Sequence, residues 1–160
     1  MVTTVGRATT SPLRLTFDEA ELEQLKVPEP YDVLLGAVAQ VRLESGGAVV
    51  YREELFPIAE LAVALEDWLR DGLPVATDLT FDSVEHDEPG LVWCRSEAEG
   101  WRVGSIHADA SDPVVHSSEE VAEAFGGFVE TVRSWVRTTT GRGLDALRTT
   151  PRTGAGEDTR

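Results

Sequence analysis

The chain has 160 residues, with 29 Asp and Glu against 14 Lys and Arg, a formal net charge of −15. So acidic a surface repels nucleic-acid phosphate and anionic lipid, and attracts basic partners over a Debye length of about 8 Å at physiological salt. With 41% hydrophobic residues, four Trp and five Phe, the chain fills one packed core, and no apolar run approaches the roughly 18 residues of a membrane span.

Residues 1–12, rich in Thr and Ser, read as a flexible leader without the apolar stretch of a signal peptide. Together with a single cysteine, Cys94, this predicts a reducing, cytoplasmic setting. In residues 13–26 two signals compete. Leu13, Leu15 and Phe17 alternate as in a strand, whereas Thr16 followed by Glu19 resembles a capping box opening a short helix with Leu22 and Leu25 inward. Val33, Leu35, Ala37, Ala39, Val41 and Leu43 then occupy alternate positions of a strand with one apolar face. Ser45-Gly46-Gly47 supplies residues that accept positive φ, so residues 48–55 return as the second arm of a hairpin.

Phe56-Pro57 opens the strongest helix, since proline suits a first turn whose N–H groups have no partner. Ile58, Leu61, Leu65, Trp68 and Leu69 form its apolar stripe, and Gly72 and Pro74 stop it. Residues 79–84, 91–95 and 101–107 read as three short strands, joined by Glu85-His86-Asp87-Glu88-Pro89-Gly90 and by Glu97-Ala98-Glu99-Gly100. A second capping box, Ser117 to Glu120, starts a helix with Val121, Phe125, Phe128, Val132, Trp135 and Val136 on one face. Gly126-Gly127 inside it implies close packing or a kink. Beyond residue 139 the periodicity is lost, and residues 140–160 read as a disordered tail. That tail holds four Arg against three acids, so the acidity belongs to the folded body. The prediction is a single α+β domain over residues 13–139 in ββαβββα order, with the possibility of an extra N-terminal element. It comprises one antiparallel sheet of about five strands with two amphipathic helices on one face.

Candidate chemistry is sparse. Asp82, Glu85, Asp87 and Glu88 place four negative charges within seven residues on a turn that core packing does not require, the best candidate docking patch for a basic protein. His107, Asp109, Asp112 and His116 are zinc-type donors, but their spacing matches no closed site. Cys94 lies beside Arg95 in a strand, with no base pointed at it by any pattern, and reads as a small buried hydrophobe. Ser105 sits mid-strand, away from any strand-to-helix turn. The four Trp fall on core stripes. No catalytic residue, metal site or cofactor is assigned.

The stretch from Tyr31 to Val136 resembles small domains of unknown function from actinomycetes. The residues that carry the likeness are Phe56-Pro57-Ile58-Ala59-Glu60-Leu61-Ala62 leading to Trp68-Leu69, Asp87-Glu88-Pro89-Gly90-Leu91, and Gly100-Trp101-Arg102. In size, acidity and layout the chain is also similar to the immunity proteins that neutralise polymorphic bacterial toxins, a likeness of physical type that transfers no residues. The expected function is a non-enzymatic acidic binding protein, an immunity-type inhibitor of a basic partner, that binds neither nucleic acid nor membrane. The alternatives are a small-ligand protein or enzyme using a pocket between sheet and helices, with His107, Asp109, Glu85 or Arg102 as its polar groups, and an accessory or chaperone subunit of a bacterial gene cluster.

Overall fold

A computed structural model describes residues 13–22, 33–34, 36–83, 87–107 and 114–148. The elements are β1 (Arg14–Leu22), β2 (Ala37–Ser45), β3 (Ala48–Pro57), α1 (Ile58–Asp71), β4 (Leu79–Phe81), β5 (Val92–Glu97), β6 (Gly100–Gly104) and α2 (Ser118–Thr140). The α+β class holds. The strands form two antiparallel three-stranded sheets, β1-β2-β3 and β4-β5-β6, where the sequence pattern predicts one sheet of about five. The extra N-terminal element is therefore a strand, and the strands and long helices of the described residues follow the order βββαβββα.

The competing signals in residues 13–26 resolve as β1. Leu15 and Phe17 pair with Leu43 and Val41. The register slips between Asp18 and Glu21, where Glu19 takes φ 55°, and this bulge breaks the alternation that a strand otherwise shows. No helix starts at Glu19, and Leu25 lies outside the described residues. Val33 and Leu34 are helical, so β2 begins later than the alternation predicts. At the β2–β3 hairpin Gly46 and Gly47 take φ 62° and 81°, the two positive values that a tight two-residue connection needs.

Helix α1 buries Ile58, Ala59, Leu61, Ala62, Leu65 and Trp68, and Pro57 is its N-cap rather than its first residue. Gly72 ends the helix with φ −95°. Its lack of a side chain serves packing, because an added Cβ would lie 2.3 Å from Trp68 Cδ1. The Trp68 indole N–H donates to the Thr77 carbonyl at 2.7 Å. Helix α2 opens as its capping box predicts, with Ser117 Oγ accepting from the Glu120 amide at 3.1 Å. It buries Val121, Phe125, Phe128, Val129, Val132 and Val136, and Trp135 is half-buried. The two helices pack on each other. α1 lies against β2 and β4, and α2 against β1 and β6, so the helix pair covers the first sheet and reaches the second. Trp68 meets Trp101 of β6 edge-on at 5.2 Å and Phe125 of α2 at 6.0 Å, so both helices and the second sheet share one core. Among the described residues no helix is long and apolar enough to cross a membrane.

The packed body runs past the boundary at residue 139. Leu144–Arg148 forms a 3-10 turn with Leu144 and Leu147 buried, and Arg148 reaches Glu66 and Asp67 of α1. The expected disordered tail from residue 140 is corrected for this part. Two leucines in five residues make no periodic stripe, yet they find the core once α2 ends at Gly141, which takes the left-handed conformation. Leucine burial dominates this docking, because part-exposed ion pairs contribute only a few tenths of a kcal/mol each.

Two stability predictions follow from the burial. Leu65→Ala, at a fully buried position, should lower unfolding free energy by about 2–5 kcal/mol in urea titration. Ending the chain at Thr140 should destabilise it about as much as the Leu144→Ala/Leu147→Ala double variant does, and an unchanged urea midpoint would show that the turn adds nothing.

Candidate functional site

Polar groups in the described residues gather in three places: a buried histidine between the sheets, the acidic turn after β4, and a cleft beside α1.

His116 is fully buried. Its Nδ1 lies 3.0 Å from Glu120 Oε2 and its Nε2 lies 2.7 Å from Ser45 Oγ at the end of β2. A carboxylate only accepts, so Nδ1 donates to Glu120, and in the neutral ring Nε2 then accepts from the Ser45 hydroxyl. The His116 backbone forms an antiparallel bridge with Trp101, both N–H···O distances being 2.7 Å. Trp101 Nε1 donates to Ser118 Oγ at 2.9 Å. Gly100, with φ 149°, is required beside this bridge because an added Cβ would come within 2.4 Å of the His116 carbonyl oxygen. One residue thus ties the hairpin of the first sheet, the last strand of the second and the N-terminus of α2.

Serine, histidine and carboxylate stand here in the order that acyl-transfer enzymes use. Their exposure is inverted, however. Ser45 is 1% exposed and His116 0%, while the Glu120 side chain is 46% exposed. A nucleophile must reach its substrate, and here only the carboxylate meets solvent, so the array acts as a structural clasp. Sequence reasoning missed it. The i, i+4 spacing of His116 and Glu120 was a local signal, but Ser45 is 71 residues away.

The other sequence candidates are held in different ways. Asp82 Oδ1 accepts from the Gly90 amide at 2.7 Å and so closes the acidic turn. Glu88 pairs with His107 Nε2 at 2.6 Å, and the His107 ring stacks on Tyr51 of β3 with centroids 6.1 Å apart. Asp87 is exposed, and Glu85 lies outside the described residues. Two of the four acids therefore shape the turn as well as charging it. The two histidines of the zinc-type set point to separate partners, and Asp109 and Asp112 lie outside the described residues. Among the described residues no three His, Cys, Asp or Glu side chains converge as a metal site. Ser105 is buried, its Oγ accepting from the His107 amide at 3.2 Å. Trp68 and Trp101 are buried. Trp93 is half-buried, stacked over Gly104 and beneath the Arg95 guanidinium, which lies 4.4 Å from its ring centre.

Cys94 is fully buried, and burial, reinforced by the charge of Asp78, pushes its thiol up to about 12. Burial likewise raises the Tyr51 phenol well above its ordinary value, with Glu53 and Glu88 adding to the effect. Neither group is an activated nucleophile.

The cleft lies between α1 and β4 and encloses about 400 Å³. Leu34, Val63, Ala64 and Phe81 give it apolar walls, and Glu60, Asp67 and Asp82 contribute carboxylates. Asp67 is already paired with Arg70 at 3.2 Å and with Arg148. Glu60 accepts from Ser83 Oγ at 3.0 Å. Asp82 accepts from the Gly90 amide and lines the cleft as well, so the cleft is continuous with the acidic turn.

These features define a small acidic α+β domain whose described strands form two antiparallel three-stranded sheets, with Ser45, Cys94 and His116 buried. The family described as "Domain of unknown function (DUF7878)" matches residues 13–138, and the chain belongs to it. No curated protein and no solved structure matches the chain.

Two measurements test this account of the buried groups. An activated-serine probe such as a fluorophosphonate should leave Ser45 unlabelled in the native protein, while Ser45→Ala should cost about 1–3 kcal/mol by stranding a buried ring nitrogen. Native labelling of Ser45 would contradict its role in the clasp. Raised folded-state pKa values favour the neutral thiol and phenol, so their contribution is complete below about pH 9 and is lost as pH rises toward 12. The urea midpoint should therefore fall above pH 9, and fall less in Cys94→Ala.

Proposed function

We propose that this chain is a non-enzymatic binding protein that captures a basic partner protein, in the manner of an immunity-type inhibitor. The observation that carries this reading is the cleft between α1 and β4, with apolar walls and carboxylates from Glu60 and Asp82. A lysine or arginine side chain has the complementary form, an aliphatic stem ending in a cation. The net charge of −15 supplies the long-range part of the same preference, and steering of this kind raises association rates by about 10- to 1,000-fold. Asp82, Asp87 and Glu88 extend the charge along the turn. Asp82 serves twice, as the acceptor that holds the turn and as one wall of the cleft. Inhibition follows where the partner's own basic surface is what it uses, since an acidic occupant excludes any other anion.

Binding of a short arginine-rich peptide, followed by calorimetry at several salt concentrations, tests the cleft. Glu60→Gln with Asp82→Asn keeps the acceptors for Ser83 and Gly90 and removes the charge. This pair should weaken binding at least about tenfold and flatten its salt dependence. Asp87→Asn with Glu88→Gln should mainly slow association. Equal loss from Glu97→Gln with Glu99→Gln, on the β5–β6 turn, would show that only overall charge matters and would remove the cleft from the account.

A further inference from the structure

We propose that the groove between β1 and α2 is a second docking surface, which seats an apolar side chain carried on a basic segment of the partner. The inference rests on the reading above for the partner's charge, but on a different surface. The groove encloses about 410 Å³, and Leu15, Phe17, Ala124, Gly127 and Phe128 line it. Phe17 and Phe128 meet edge-on at 5.7 Å, tying its two walls together. β1 is an edge strand, so the groove follows a border of the first sheet.

Gly126 and Gly127 are the second observation. They stand in the middle of α2, where glycine is the least suitable residue after proline. Neither has a positive φ. Among the described residues a Cβ added at either meets nothing within 4 Å, so close packing on the described strands does not call for glycine here. Gly127 bares the helix backbone at the groove, with Gly126 next to it, and Thr131 Oγ1 already satisfies the Gly127 carbonyl at 2.8 Å. An incoming side chain can lie directly on that backbone.

Charge selects the occupant. Glu123 and Glu130 flank both glycines at helical spacing and are exposed, and Asp18 follows Phe17 on β1. Arg14 is the one charged residue in the groove's lining, and Arg133 lies 3.3 Å from Glu130, so the negative charge beside the groove is that of Glu123 and Glu130 on the helix. A second copy of a chain with charge −15 is repelled from these acids, whereas a basic segment is drawn to them.

The test uses the full chain with a synthetic amphipathic Leu/Lys helix and its scrambled isomer, followed by amide chemical shifts. The amphipathic peptide should move the Gly126, Gly127 and Thr131 signals, and Gly127→Leu should weaken it at least about tenfold. Gly126→Ala and Gly127→Ala should each raise Tm by about 3 °C, because helix propensity improves and nothing is displaced. A lower Tm in both would show that the glycines serve the fold and would overturn the inference. Shifts confined to the cleft of Glu60 and Asp82 would also overturn it while leaving the basic-partner reading intact. Failure of both peptides at either surface would sink that reading too. A dimer of the protein alone that Gly127→Leu dissociates would assign the groove to a second copy instead.

Discussion

The fold turns on one buried imidazole. Among the described residues no strand pairing joins the two sheets, so their relation depends on side chains and on His116, whose backbone bridges to the second sheet and whose ring reaches Ser45 of the first. That residue pairs by its backbone with Trp101, by one ring nitrogen with Ser45 and by the other with Glu120. Each bond taken alone contributes about 1 kcal/mol, but the buried donors and acceptors cost more when left unmade. A displaced second sheet loses the Trp101 bridge or the Ser45 bond, while the local Glu120 pair survives, which makes the clasp a determinant of geometry more than of total stability. The Trp68–Trp101 contact lies on the same strand residue, so the polar clasp and the aromatic core reinforce one arrangement.

What the sequence disclosed was local. The hairpin at Gly46-Gly47, the stripe of α1 and the Ser117 cap of α2 each depend on residues within a few positions of one another, and each was legible. The split into two sheets was not, because strand periodicity says which face is apolar and nothing of which strand lies beside which. β1 was ambiguous for a definite reason: the bulge near Glu19 places polar and apolar residues at helix-like intervals. Leu144 and Leu147 escaped notice because a 3-10 turn is too short for a pattern. At the candidate site the acidic turn was visible as a charge run. The cleft was not, since Glu60 and Asp82 come from different elements, and no spacing could predict that Ser45 meets His116.

The acids of this protein divide by what they touch. Asp78 accepts from the Ser96 amide, Asp82 from Gly90, and Glu120 from His116, so these carboxylates shape the second sheet and its joints. Others, such as Asp87, Glu119 and Glu123, face solvent and contribute field rather than structure. The division explains how so acidic a chain keeps an ordered surface, and why charge-removing variants must preserve the acceptor wherever the carboxylate also holds a backbone amide. Asp82 does both, holding the Gly90 amide and lining the cleft beside α1.

Native-state hydrogen exchange of the wild type and of His116→Ala addresses the clasp most directly. If His116 joins the sheets, the amides of β5 and β6 in the variant should exchange through a partial opening that leaves β2, β3 and α1 protected, and the Trp101 amide should lose protection first. If the clasp is incidental, both sheets will lose protection equally and by the same factor, and the second sheet will be held by its apolar contacts alone.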